Sequence, residues 1–255
     1  MSTLLVTPPT RLPVSLDDVK DHLRISGTDS DDLLYGLIMA ATDMVERFTN
    51  RRLVYQTWKL YLDDFPSVDE ILLPFGQLKS VAHIKYTDTD DDETTFSSNY
   101  YSIDTTAEPG RIVLDYGDEW DEFTGRTNRP IEIQFVCGYY AGPYWTAATT
   151  FSEGDYVEPT NANGDGMVYI SGDDGDTHDD TEPTWPGTVA GTVVDNEITW
   201  TCSGEGVPKV IRQAIMLQVT EYFRMREPYL LGAIYRPLKT VQSLLWPYRI
   251  FGGAI

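Results

Sequence analysis

The residues of this chain that could do chemistry are few, and they are scattered. Three histidines, His22, His83 and His178, sit in three separate segments, none at metal-ligand spacing from another His or Cys. His22 falls on a predicted helix and His83 in a predicted strand, so both read as surface or packing residues. Cys137 and Cys202 lie in different strand-like segments and give neither a disulfide framework nor a zinc set. They read as reduced, part-buried thiols. The sequence contains no G-x-S-x-G elbow, no Walker loop and no G-x-G-x-x-G after a strand. Gly164-Asp165-Gly166 is a fragment of an Asp-rich turn. The run Asp173–Asp180, DDGDTHDD, offers alternating oxygen ligands and a glycine, as calcium loops do. It lacks the D-x-D-x-D-G order and the downstream bidentate Glu, so a solvated acidic loop is the preferred reading. Asp88–Glu93 reads the same way, as an acidic hairpin tip. No catalytic residue, no metal site and no cofactor is expected.

Charge is more informative. The 255 residues carry a formal charge of −21, unevenly divided. Residues 207–255 hold seven Lys/Arg against two Asp/Glu, whereas 144–206 hold thirteen acids and no Lys or Arg. So acidic a chain is poorly suited to gripping phosphate backbones, which takes clustered Lys/Arg. Met1–Pro13 lacks the basic start and apolar core of a secretory leader. No apolar run approaches the length that spans a bilayer, so no membrane partner is expected.

The elements that must position everything else are amphipathic helices at the two ends. Val207–Glu227 repeats Val207, Val210, Ile211, Ala214, Ile215, Gln218 and Tyr222 at spacings of three and four. Pro208 suits the first turn and Pro228 stops the ladder, which predicts a helix over 208–227. A helix over 15–25 opens with Ser15 as cap and with Asp17 and Asp18 at the positive end of its dipole. A third, over 31–49, carries Leu33, Leu34, Leu37, Ile38, Ala41, Met44, Val45 and Phe48 at helical spacing. Its stripe and that of 208–227 are natural partners, which brings the chain ends together as a helical bundle. Between 54 and 137 the pattern changes to strands, plainest in Ile131–Cys137, where Ile131, Ile133, Phe135 and Cys137 alternate with Glu132, Gln134 and Val136.

A composition break at Gly142-Pro143 and a return at Gly206-Val207-Pro208 bracket a third region. The expected division is therefore a main domain of residues 1–143 and 207–255 interrupted by a small all-β module, 144–206. The fold class is α+β: a helical bundle from both ends, a β-rich middle and the inserted module. In a domain so small, aromatics supply much of the core. Its order, Trp145, then Gly154-Asp155-Tyr156-Val157, then Tyr169 and Trp185, resembles small β modules of the chitin-binding type. That resemblance implies stacking of Trp145, Tyr169 or Trp185 on sugars, weighed against the plainer role of these rings as core. In the closing segment Leu244, Leu245, Trp246, Pro247, Tyr248 and Ile250 are too apolar for a free terminus and either fold back onto their own subunit or dock on another protein; docking is the preferred reading, with Arg236, Lys239, Leu244, Leu245, Trp246, Pro247, Tyr248 and Arg249 as the arm. Its Trp/Tyr/Arg content is that of an interface anchor.

Several stretches in order, PVSLDDVKDHLRI, DDLLYGLIMAATDMVERFTNRRL, QTWKLYLDDFP, ILLPFGQLKSVAHIKY, IEIQFVCGYY, VPKVIRQAIMLQVTEYFRMRE and SLLWPYR, resemble the head-to-tail connector (adaptor) proteins of long-tailed bacteriophages. The resemblance covers roughly Pro13–Tyr140 and Val207–Arg249. Two departures stand out: the 144–206 insertion, and Phe75-Gly76 where a more basic, proline-rich turn is expected. The resemblance implies a structural virion protein made in the host cytoplasm. It would be a homo-oligomeric ring, expected to be dodecameric, at the head–tail neck. The C-terminal arm would dock on the portal protein, a stopper or tail-completion protein would sit on the other face, and genomic DNA would pass through without specific binding. The acidic body fits that passage, since like charge keeps DNA from sticking. Self-repulsion of the module in a tight ring predicts that it faces outward. The rival reading is a carbohydrate-binding or adhesion protein working through the Trp-bearing module. No nucleophile–base pairing supports an enzyme.

Overall fold

In a computed structural model, residues 1–121, 125, 128–160, 166–178, 180–225 and 239–251 are described. The chain is α+β and divides into two compact units. One comprises Met1–Thr10, Thr49–Gly138 and Tyr248–Ile255; the other comprises Arg11–Phe48 and Tyr139–Pro247. In this division residues 144–206 share a unit with residues 11–48.

The first unit is built on strands β1 (Ser2–Thr7), β2 (Gln56–Leu62), β3 (Glu70–Leu72), β4 (Leu78–Thr87), β5 (Glu93–Thr95), β6 (Tyr101–Asp104), β7 (Arg111–Leu114) and β8 (Ile131–Cys137). They form an antiparallel sheet of order β1-β2-β8-β4-β5 and a smaller one of order β3-β7-β6. The period-2 pattern of β8 fixes its register: Ile131, Ile133, Phe135 and Cys137 are fully buried, and the residues between them are half-exposed. Ile133 pairs with Leu60 on one side and Ile84 on the other, a row of three aliphatic side chains across the sheet. Slipping β8 by one residue would move this row to the opposite face. Ile71, Phe96 and Ile112 complete the core. His83 lies in β4 with Nε2 3.1 Å from Glu132, which also pairs with Lys59 at 2.7 Å. Burial pushes the Glu132 carboxyl up, but the hydrogen bonds from Lys59, His83 and Tyr61 outweigh it and leave it below the usual range.

The second unit holds helices α1 (Leu16–Leu23), α2 (Asp31–Thr49), α3 (Lys209–Arg224) and α4 (Lys239–Leu245). It also holds strands β9 (Thr150–Phe151), β10 (Tyr156–Val157), β11 (Met167–Ser171), β12 (Gly175–Asp176), β13 (Thr192–Asp195) and β14 (Ile198–Glu205). Ser15 caps α1 as its position predicts, accepting the Asp18 N–H at 3.0 Å, and Arg24 closes the helix in the left-handed region, φ 57°. Along α2, Leu34, Ile38, Ala41 and Val45 are buried. On α3 the buried stripe is Ile211, Ala214, Ile215, Gln218 and Val219, one step round from the expected one, with Val210 turned outward. Both α1 and α4 lie against α3. The predicted end of this helix, Glu227 and Pro228, lies outside the described residues. The β segment forms a four-stranded sheet of order β10-β11-β14-β13 and a two-stranded ribbon, β12-β9. Among the described residues no helix is long and apolar enough to cross a membrane.

Candidate assembly surfaces

The C-terminal segment is built in two parts. Helix α4 buries Val241 and Leu245 completely or nearly so, with Leu244 half-buried. A 3-10 turn, Trp246–Tyr248, follows. Trp246 is 56% exposed, Pro247 and Arg249 are exposed, and Tyr248 is half-buried. Lys239 is exposed at the start of α4, and Arg236 lies outside the described residues.

Within the first unit, the stretch from Tyr248 onward is pinned by one buried arginine. Arg51 donates from Nε to the Tyr248 carbonyl and from its guanidinium to both oxygens of Glu108. Gln77 Nε2 adds a bond to Glu108 at 2.9 Å, and the Ile250 N–H donates to the Thr49 carbonyl at 2.9 Å. The hydrogen bond from Arg51 is the main reason the Glu108 carboxyl is held below the usual range. Phe75-Gly76-Gln77, the turn that departs from the connector pattern, forms the seat. Phe75 and Gln77 take left-handed φ values of 71° and 58°. A Cβ on Gly76 would come within 2.5 Å of Ile250 Cδ1 and 2.9 Å of Arg51 Nη1. Arg52 covers the Phe75 ring at 3.8 Å from its centroid. Ile250 is thus buried while the next residue, Phe251, is 62% exposed, with the Arg249 guanidinium 5.1 Å from its ring. Buried anchors alternate here with outward Trp, Arg and Phe, a composition found at the centre of protein interfaces.

The aromatic rings of the β segment are chiefly core. Tyr169 is fully buried, and its ring packs 4.4 Å from Trp185, which is half-buried. Trp145 is 9% exposed. The fully buried Trp200 meets Phe151 edge-on at 5.2 Å. Asp195, unnoticed in the sequence, organises this core: its carboxylate accepts Trp145 Nε1 at 2.6 Å, Trp200 Nε1 at 3.3 Å and the His178 N–H at 3.0 Å. Stacking on a sugar needs an exposed ring face, which neither Trp145 nor Tyr169 presents. Described carboxylates of the acidic run make local bonds; Asp179 lies outside the described residues. Asp174 accepts the Glu153 N–H at 2.7 Å, and Asp176 accepts the Thr150 hydroxyl at 2.5 Å. Among the described residues, no group of three or more His, Cys, Asp or Glu could hold a metal ion.

A second polar centre joins the β segment to the helices inside the second unit. Arg212 reads as a solvent-face residue from its spacing on α3. It pairs with Glu158 at 2.6 Å, with side chains only 15% and 10% exposed, and also donates to Tyr144 Oη at 3.3 Å. The Tyr144 hydroxyl donates to Asp18 on α1 at 3.3 Å. Burial, and next the Asp18 charge, push the Tyr144 phenol up. A cleft of about 220 Å³ opens beside this network, walled by Val14, Met167, Val207 and Met216.

The exposed side chains of the C-terminal segment, Trp246, Arg249 and Phe251, are of the types found at protein interfaces. Residues 13–109 match the family model of the phage gp6-like head-tail connector proteins, so the resemblance to connectors holds over that stretch. The fold of the whole chain is similar to that of proteins in gene transfer agent (GTA) particles. In the neck of the empty particle, computed with C6 symmetry, a chain aligns with TM-score 0.62 and 17% identity, over 99% of this chain and 97% of that one. Chains in the virion of the native particle (TM-score 0.60, 17% identity) and in the native neck computed with C12 symmetry (0.59, 18%) align over the same shares. No curated protein matches the sequence.

Proposed function

We propose that this chain is a head-to-tail connector: a non-enzymatic structural protein of the virion neck, assembled as a ring that joins head to tail. The observation that carries the reading is the match of residues 13–109 to the head-tail connector model. The chain-long likeness to neck structures, one of them computed with C12 symmetry, supports a ring of twelve copies. A helical bundle joins the chain ends, a reading supported by the packing of α1 and α4 against α3. The C-terminal arm, Lys239 to Arg249 with Arg236 before it, docks on the portal, and the opposite face receives a stopper or tail-completion protein. A net charge of −21 suits a body through which DNA slides, because an anionic wall offers phosphates no purchase.

The test is attachment. Replacing Trp246, Tyr248 and Arg249 together with alanine leaves a folded subunit that no longer binds a purified portal ring. A triple variant that still binds as wild type shows that the arm is not the anchor. The rival carbohydrate reading is tested by a glycan array with the 144–206 segment, for which the burial of Trp145 and Tyr169 gives no support.

A further inference from the structure

Residues 249–251 form neither helix nor strand, yet their side chains alternate in direction: Arg249 and Phe251 are exposed and Ile250 between them is buried. With no hydrogen-bond ladder of its own, the stretch takes this alternation from the groups around it. Arg51 Nε donates to the Tyr248 carbonyl, the Thr49 carbonyl accepts the Ile250 N–H at 2.9 Å, and the tip of the Ile250 side chain ends over Gly76. Two bonds to the backbone and one buried side chain thus fix three consecutive residues. Arg51 is fixed in turn by both oxygens of Glu108, and Gln77 holds Glu108.

Gly76 is the strictest part of this seat. It lies outside the left-handed region that its neighbours Phe75 and Gln77 occupy, so its own backbone admits any residue. What excludes a side chain is the arm: a Cβ there would stand 2.5 Å from Ile250 Cδ1 and 2.9 Å from Arg51 Nη1. The glycine is therefore required by Ile250 and by the arginine that holds it, not by the turn. The filled seat covers Ile250 and leaves Phe251 62% exposed, with the Arg249 guanidinium 5.1 Å from its ring. A resting place that the arm must leave before docking would cover the Arg and the aromatic ring and expose the aliphatic residue. The reverse is seen. A partner meets Arg249 and Phe251 already ordered, and ordering a loose residue at the moment of binding would weaken affinity about five- to thirtyfold.

We propose that the seat formed by Gly76 and Arg51 is a positioning device for docking: with Ile250 in place it presents Arg249 and Phe251 to the portal in the conformation that binds. The proposal rests on the portal-docking reading above. It adds Phe251 to the contact, and Gly76, Arg51 and Ile250 as positioning residues that need not touch the partner. The test uses the full chain and a purified portal ring, with affinity measured well below the melting temperature of each variant so that all are folded. Gly76→Ala is expected to bind about tenfold more weakly and to speed exchange of the Ile250 amide. Ile250→Val, which lacks the Cδ1 that an added Cβ would strike, stays near wild type alone and restores most of the affinity when combined with Gly76→Ala. A purely structural role for Gly76 would lower melting and leave the affinity of the folded protein unchanged. Ile250→Ser empties the seat with Gly76 intact and decides the matter should Gly76→Ala fail to fold; it too is expected to bind about tenfold more weakly. Phe251→Ala weakens binding while Ile250 exchange stays as in wild type. Wild-type or stronger affinity in the folded Gly76→Ala or Ile250→Ser variant overturns the proposal, and so does a double variant no better than Gly76→Ala. A wild type that does not bind portal overturns the docking reading instead, and that is seen before any variant is made.

Discussion

Replacing Arg51 with methionine keeps the length of the side chain and removes its charge and donors. Arg51 is 4% exposed and bonds to Glu108 through both carboxylate oxygens and to the Tyr248 carbonyl. Removing one member of a buried ion pair costs about 3–5 kcal/mol. The Glu108 side chain retains 36% exposure, so water takes back part of its charge and the expected loss falls to about 2–3 kcal/mol. At about 2–4 °C per kcal/mol, the melting temperature drops by roughly 5–10 °C. The loss is directional: the Ile250 amide, bonded to the Thr49 carbonyl at 2.9 Å, exchanges faster with solvent once the carbonyl two residues before it is released. Arg51 depresses the folded-state Glu108 carboxyl below its ordinary value of 4.5. The pair's contribution is therefore fully present above that value and fades as pH falls below it, so wild type and variant converge in acid. Calorimetry and amide exchange check both effects. If Arg51→Met melts within about 1 °C of wild type and Ile250 exchange is unchanged, the clamp does not hold the C-terminal segment.

Other perturbations probe the remaining centres. Arg212→Met strands the Glu158 carboxylate, only 10% exposed, and lowers stability by about 3–4 kcal/mol in denaturant titration. Tyr144→Phe, which loses only two 3.3 Å bonds, costs about 1 kcal/mol, and equal effects from the two would contradict the ranking. Asp195→Leu leaves the buried indole N–H groups of Trp145 and Trp200 without this acceptor; a loss of about 2–4 kcal/mol with altered near-ultraviolet dichroism is expected, and Asp195→Asn recovers part of it. Asp104 is held at about 2, first by the Thr106 hydroxyl, then by the Ala107 N–H and Arg111. Its stabilising contribution is complete above its ordinary 3.8 and lost as pH falls towards 2, and Asp104→Asn removes that acid-sensitive step. An NMR titration that places this carboxyl near 4 would refute the assignment.

Local patterns carried much of this architecture. The alternation of Ile131–Cys137 gave the strand's limits and its buried face, because a period of two is written into adjacent residues. Ser15 with Asp18 marked the start of α1, since a cap acts over three residues. The acidic body and basic C-terminal arm were legible from charge alone. Other features depend on residues remote in the chain, and no short-range pattern encodes them. Strand β1 has all but its first residue exposed and shows no alternation, so only its pairing with β2 makes it a strand. Arg51 finds Tyr248 across 197 positions, and Arg212 leaves its apparent solvent face because Glu158 arrives from the β segment. Asp195 resembles any loop-side acid until two indoles close over it. Helix and strand periods are set by neighbouring residues. Which polar groups are buried together is set by where the folded backbone brings distant segments, and that determined how the C-terminal arm is held and which rings remain available to a partner.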